Sequence, residues 1–82
     1  MELSKRLKSL ASSLDKFEPN DVVPWQMALI FNALLDEAKK QYGNDPIVSV
    51  IEPATGDGIY ANGNAGSMRA SVGQLYEAAQ GR

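Results

Sequence analysis

Neither cysteine nor histidine occurs among the 82 residues, and these two absences exclude more chemistry than any residue present suggests. Without them there is no thiol nucleophile, no Ser-His-Asp triad, no imidazole acid or base, and no tetrahedral zinc site of the usual Cys/His kind. Disulfides and structural zinc, two common supports of very small domains, go with them, which leaves association with another chain as the remaining one. Nothing points to an oxidising compartment. Long apolar runs are missing too. The opening Met1-Glu2-Leu3-Ser4-Lys5-Arg6 leads into no apolar stretch of signal-peptide type. The most apolar segment, Trp25 to Leu35, is far shorter than the roughly 20 residues a bilayer needs. The expectation is a cytoplasmic chain with no membrane partner.

Charge is sparse and mixed, with a net of −2. Lys5, Arg6, Lys8 and Lys16 outnumber Glu2 and Asp15 at the front, whereas Glu18, Asp21, Asp36, Glu37, Asp45 and Glu52 outnumber Lys39 and Lys40 in the middle. A nucleic-acid backbone demands a concentrated cationic face. Four basic side chains on an acidic chain do not supply one, so nucleic acid is not an expected partner. A basic front beside an acidic middle can steer self-association, and it serves equally well as a solvated surface.

What is present reads as a globular helical domain. Hydrophobic residues make up 44% and charged residues 22%, near the average for folded proteins. A chain this short has room for one core, hence a single domain over 1–82. Leu3, Leu7, Leu10 and Leu14 recur at spacings of four, three and four with polar residues between, which predicts a helix over 2–15 with one narrow apolar face. Pro19 and Asn20-Asp21 interrupt it. A second helix is expected over 24–42, with Pro24 at its first position and Gly43 as the left-handed residue that ends it. Its apolar residues cover more than one side, so it should be central. Asp45-Pro46 starts again, as cap and first residue of a short helix over 46–51. The β-branched Ile47, Val48, Val50 and Ile51 also suit a strand, but a lone strand lacks a partner and helix is the preferred reading. The segment 53–66 holds four of the seven glycines and reads as a loop, with Asn62-Gly63 able to close a small hairpin. The last helix is expected over 67–80, capped by Ser67, with Met68, Val72, Leu75 and Ala79 on one face. Gly73 within it costs about 1 kcal/mol relative to alanine and hints at a close helix approach. The fold class is therefore all-α, a small bundle of three longer helices and one short one with a Gly/Asn-rich loop before the last.

The stretches Phe31-Asn32-Ala33-Leu34-Leu35-Asp36-Glu37-Ala38-Lys39-Lys40, Asn44-Asp45-Pro46-Ile47-Val48, Ile51-Glu52-Pro53 and Met68-Arg69-Ala70-Ser71-Val72-Gly73-Gln74-Leu75 together resemble small uncharacterised helical modules of bacteria and their phages. The resemblance spans roughly the last two thirds of the chain and rests on packing and capping signals. It implies a helical module that stands alone or precedes a larger domain, and it brings no activity with it.

Two functional constellations stand out. The leucine stripe Leu3, Leu7, Leu10 and Leu14, with Trp25, Leu29 and Phe31, offers more apolar surface than a short chain without staples is expected to hide. It suggests an interface, with a second copy in a homodimer or small oligomer or with another protein. The competing reading gives the same stripe to the core of the monomer. The alternative site lies where Gly63, Gly66, Ser67 and Arg69 precede or open the last helix, as a helix start rich in free N–H groups attracts a small anion or nucleotide. It matches no phosphate-binding loop, dinucleotide fingerprint or calcium loop. The expected function is a non-catalytic protein–protein interaction or regulatory module that self-associates, with no cofactor and no metal. The alternative is a binder of small ligands.

Overall fold

The structure is a computed structural model that describes residues 2–81 of the domain expected over 1–82. Three longer helices, one short helix and a two-residue hairpin follow one another: α1 (Leu3–Leu14), α2 (Trp25–Tyr42), α3 (Pro46–Val50), β1 (Gly56–Asp57), β2 (Tyr60–Ala61) and α4 (Ala65–Ala79). All four leucines of α1 are buried, because their spacing keeps them on one face of the cylinder and that face lies mainly on α4 and next on α2. Leu3 stands near Glu37 and Gln41 at one end of α2, and Ser13 near Met27 and Ile30 at the other. The two helices are therefore antiparallel. From α2 come Ala28, Phe31, Leu34, Leu35 and Ala38, and from α4 Ala65, Met68, Val72, Leu75 and Ala78. Among the described residues every buried side chain is apolar. No described helix is long and apolar enough to cross a membrane.

The helix ends depart in detail from the sequence expectations. Pro24 is the residue before α2 rather than its first, with an extended backbone (φ −57°, ψ 142°). Gly43 is right-handed (φ −63°, ψ −15°), so no left-handed residue ends α2. A β-carbon on Gly43 would fall 2.5 Å from the Lys39 carbonyl oxygen. The chain turns instead at Asp45, which precedes a proline and takes the extended conformation that position favours. Its Oδ1 accepts from the backbone N–H groups of Ile47 at 2.8 Å and Val48 at 3.3 Å, and α3 forms as a helix with Val48 as its one fully buried side chain.

The glycine-rich segment is more fastened than a plain loop. Gly56 pairs with Ala61 and Asp57 with Tyr60. The turn falls at Gly58, whose φ of +92° suits a residue without a β-carbon, and not at Asn62-Gly63. A third segment joins on the other side of β2: Trp25 N–H donates to the Ile59 carbonyl and Ala61 N–H to the Val23 carbonyl, each at 2.8 Å. Gly56 rests against Trp25, where an added β-carbon would lie 2.5 Å from ring atom Cε3. Asn32 of α2 holds the incoming strand from both sides of its amide. Its Nδ2 donates to the Ala54 carbonyl at 3.0 Å, and its Oδ1 accepts from Ala54 N–H at 2.7 Å.

Helix α4 begins two residues before Ser67, and Asn64 is its cap. Asn64 Oδ1 accepts from Ser67 N–H at 2.9 Å, satisfying one of the donors a helix start leaves open. Ala78 rather than Ala79 is the buried residue at its far end. Gly73 is exposed, and a β-carbon added there would meet nothing within 4 Å, so no close helix approach explains it. Asn64→Ala is expected to cost about 1 kcal/mol. In a thermal melt this lowers the midpoint by roughly 4–8 °C, whereas Ser67→Ala leaves it nearly unchanged.

Candidate functional site

The first sequence constellation divides between core and surface. Leu3, Leu7, Leu10 and Leu14 are between 0% and 7% exposed, and Phe31 is 3% exposed. They are core of the monomer, because α4 and α2 together cover the stripe, and the leucine face as a whole is not available as an interface. Trp25 is partly buried under Gly56. Leu29 alone of the set presents its side chain to solvent, 51% exposed.

A different flank of α2 holds a feature the leucine spacing does not reveal. Between α1 and α2 an open groove of about 520 Å³ is walled by Arg6, Ser9, Leu10 and Ser13 from α1. Its other wall is Met27, Ile30, Ala33 and Leu34 of α2. Ile30 is 52% exposed. The phase of α2 explains this: Ala28, Phe31, Leu35 and Ala38 point into the core, Ile30 and Ala33 turn away from it along the groove, and Leu29 lies further round the helix, outside the groove lining. The serines of α1 are small and leave the aliphatic wall uncovered. At the end of α1 nearest Leu3 the groove continues into a cleft bordered by Arg6, Glu37 and Gln41. An apolar strip with charge at one end can seat an amphipathic helix.

The second constellation is taken apart by the fold. A helix start binds anions through unpaired N–H groups, and the first four of α4 are already used. Ala65 N–H donates to the Asp21 carbonyl at 2.9 Å, Gly66 N–H to the Pro19 carbonyl at 3.0 Å, and Met68 N–H to the Asn64 carbonyl at 3.2 Å. Ser67 N–H is taken by the Asn64 side chain. Gly66 is there to let Pro19 approach, since an added β-carbon would sit 3.1 Å from the Pro19 oxygen. Gly63 supplies a backbone φ of +88°. Arg69 points away from the loop. Its guanidinium donates to the carbonyls of Leu14 at 2.8 Å and Phe17 at 3.0 Å, and its Nε lies 3.3 Å from Asp15 Oδ1. The hollow that remains, bordered by Glu52, Asn62, Asn64 and Ser67 among others, measures about 130 Å³, well below the few hundred Å³ typical of small-molecule sites. An anion would have to displace bonds the protein already makes and would meet the Glu52 carboxylate.

Among the described residues no three acidic side chains gather where a metal ion could sit. Comparison with known protein families, curated proteins and solved structures finds no match for this chain.

Proposed function

We propose that the chain is a non-catalytic protein–protein interaction module of the cytoplasm that pairs with a second copy of itself through the groove between α1 and α2. The observation that carries this reading is the half-exposed Ile30 in the open groove, flanked there by Met27, Ala33 and the edge of Leu34. A contact between identical copies uses the same patch twice, so each copy contributes Ile30 to the centre. Charge suits it as well. Arg6 of α1 and Glu37 of α2 border the cleft that continues the groove, so its margin carries both signs. Apolar side chains at the centre and charge at the margin is the usual layout of a protein interface.

Ile30→Glu tests it. The exposed position tolerates the change with a stability effect within about 0.5 kcal/mol, so circular dichroism and melting stay near those of the unaltered chain. A central anchor is worth about 2 kcal/mol or more, which weakens pairing roughly 30-fold. Sedimentation equilibrium is expected to show a concentration-dependent dimer for the unaltered protein and a monomer for Ile30→Glu. An unaltered chain that stays monomeric throughout the micromolar range defeats the proposal.

A further inference from the structure

Five asparagines occur in the chain, at 20, 32, 44, 62 and 64, and Asn62 is the one followed by glycine. Their surroundings differ as much as their neighbours. The amide of Asn32 is held by both of its ends on Ala54. Asn64 has its oxygen committed to the α4 cap and is followed by a helical residue. Asn20 and Asn44 are exposed and precede aspartates, whose side chains crowd the next backbone nitrogen. Asn62 is exposed. The residue after it has no side chain to shield its backbone nitrogen, and no hydrogen bond among the described residues occupies the Gly63 N–H. The restraint on the Asn62 amide is a single exposed bond, Nδ2 to Thr55 Oγ1 at 3.1 Å.

From this arrangement we infer that Asn62-Gly63 is a site of spontaneous deamidation and main-chain isomerisation. Solvent base removes the proton from the Gly63 backbone nitrogen, which attacks Asn62 Cγ. The N–Cγ bond forms, the Cγ–Nδ2 bond breaks, and ammonia leaves after taking a proton from water. The resulting five-membered imide is opened by water at either carbonyl. Attack at Cγ gives aspartate, and attack at the main-chain carbon gives isoaspartate. No oxidant or reductant takes part. Either product carries one more negative charge and loses the Nδ2 donor to Thr55. The aspartate lies two residues before the α4 cap, at the helix end that favours negative charge. The isoaspartate lengthens the main chain by one methylene between β2 and α4. One product leaves the hairpin joined to α4 as before and the other alters that join, so the site acts as a timer on the hairpin.

Ageing the full-length folded protein in mildly alkaline buffer, with peptide mass mapping at intervals, tests the inference. The expected result is amide-to-acid conversion at Asn62 that outpaces conversion at Asn20 and Asn44, with isoaspartate detected there by enzymatic methyl-ester labelling. Thr55→Val, which removes the tether on the amide, is expected to convert faster still, and Asn62→Gln is expected to show no such product at position 62. An Asn62 that stays intact, or that converts no faster than Asn20 and Asn44, overturns the inference.

Discussion

Leu7→Asp is expected to leave no folded protein at all. Leu7 is fully buried at the centre of the α1 stripe, and nothing polar is buried near it to receive a carboxylate, since every buried side chain among the described residues is apolar. Removing its side chain beyond the β-carbon, as in Leu7→Ala, already costs about 2–5 kcal/mol through lost burial and an unfilled cavity. A domain of this length has a total stability on the order of 4–12 kcal/mol, so alanine lowers the melting midpoint by roughly 10–30 °C. Aspartate adds the desolvation of a charge to that loss. Far-ultraviolet circular dichroism reads the result directly. The same experiment separates the two sequence readings of the stripe, because an interface leucine replaced by aspartate would leave a helical monomer behind.

Arg69→Ala is expected to loosen the junction between α1 and α4 and to cost about 2 kcal/mol. The guanidinium bonds two main-chain carbonyls at the end of α1 and just past it, those of Leu14 and Phe17, and these are the bonds that matter. Its ion pair with Asp15 is minor. The Asp15 side chain is 68% exposed, and exposed pairs contribute from nothing to about 1 kcal/mol. Asp15→Asn is therefore expected to lie within about 0.5 kcal/mol of the unaltered protein in urea unfolding. Both carbonyls accept from one guanidinium nitrogen, Nη2, so Arg69→Lys is expected to recover part of the loss, limited by how well the flexible ammonium stem reaches the same point. Equal effects from Arg69→Ala and Asp15→Asn would show that the ion pair, and not the carbonyl bridge, holds the junction.

How much of this was legible follows the range of each interaction. The leucine spacing of α1 and the Asp45-Pro46 start of α3 are local signals, and the structure agrees with both. The start of α4 was displaced because Asn64 and Ser67 are equally able to cap a helix. What selects Asn64 is remote: the carbonyls of Pro19 and Asp21 receive the N–H groups of Gly66 and Ala65. The place of the hairpin, turning at Gly58 and not at Asn62-Gly63, is hidden for a similar reason. Strands of two residues show no alternation, and β2 persists by pairing with Val23 to Trp25 as well as with β1. Arg69 carries no sequence mark of its role, since a helix surface arginine near glycines and a bridge to a distant helix end look alike in one dimension. Ile30 was within reach. Apolar residues all round α2 show that the helix is central, but only the phase set by Phe31 and Ala38 tells which side remains bare.

The ten residues between α1 and α2 are gripped by the far half of the chain at three points. Arg69 takes Phe17 together with Leu14 at the end of α1, the first turn of α4 takes Pro19 and Asp21, and β2 takes Val23. Connectors are ordinarily where a protein accepts inserted residues most easily, and here that freedom is gone, because any added length would pull three separate fastenings out of register. The tolerant place to graft a tag or a foreign loop is the exposed tip at Gly58, where the chain reverses with open space around it.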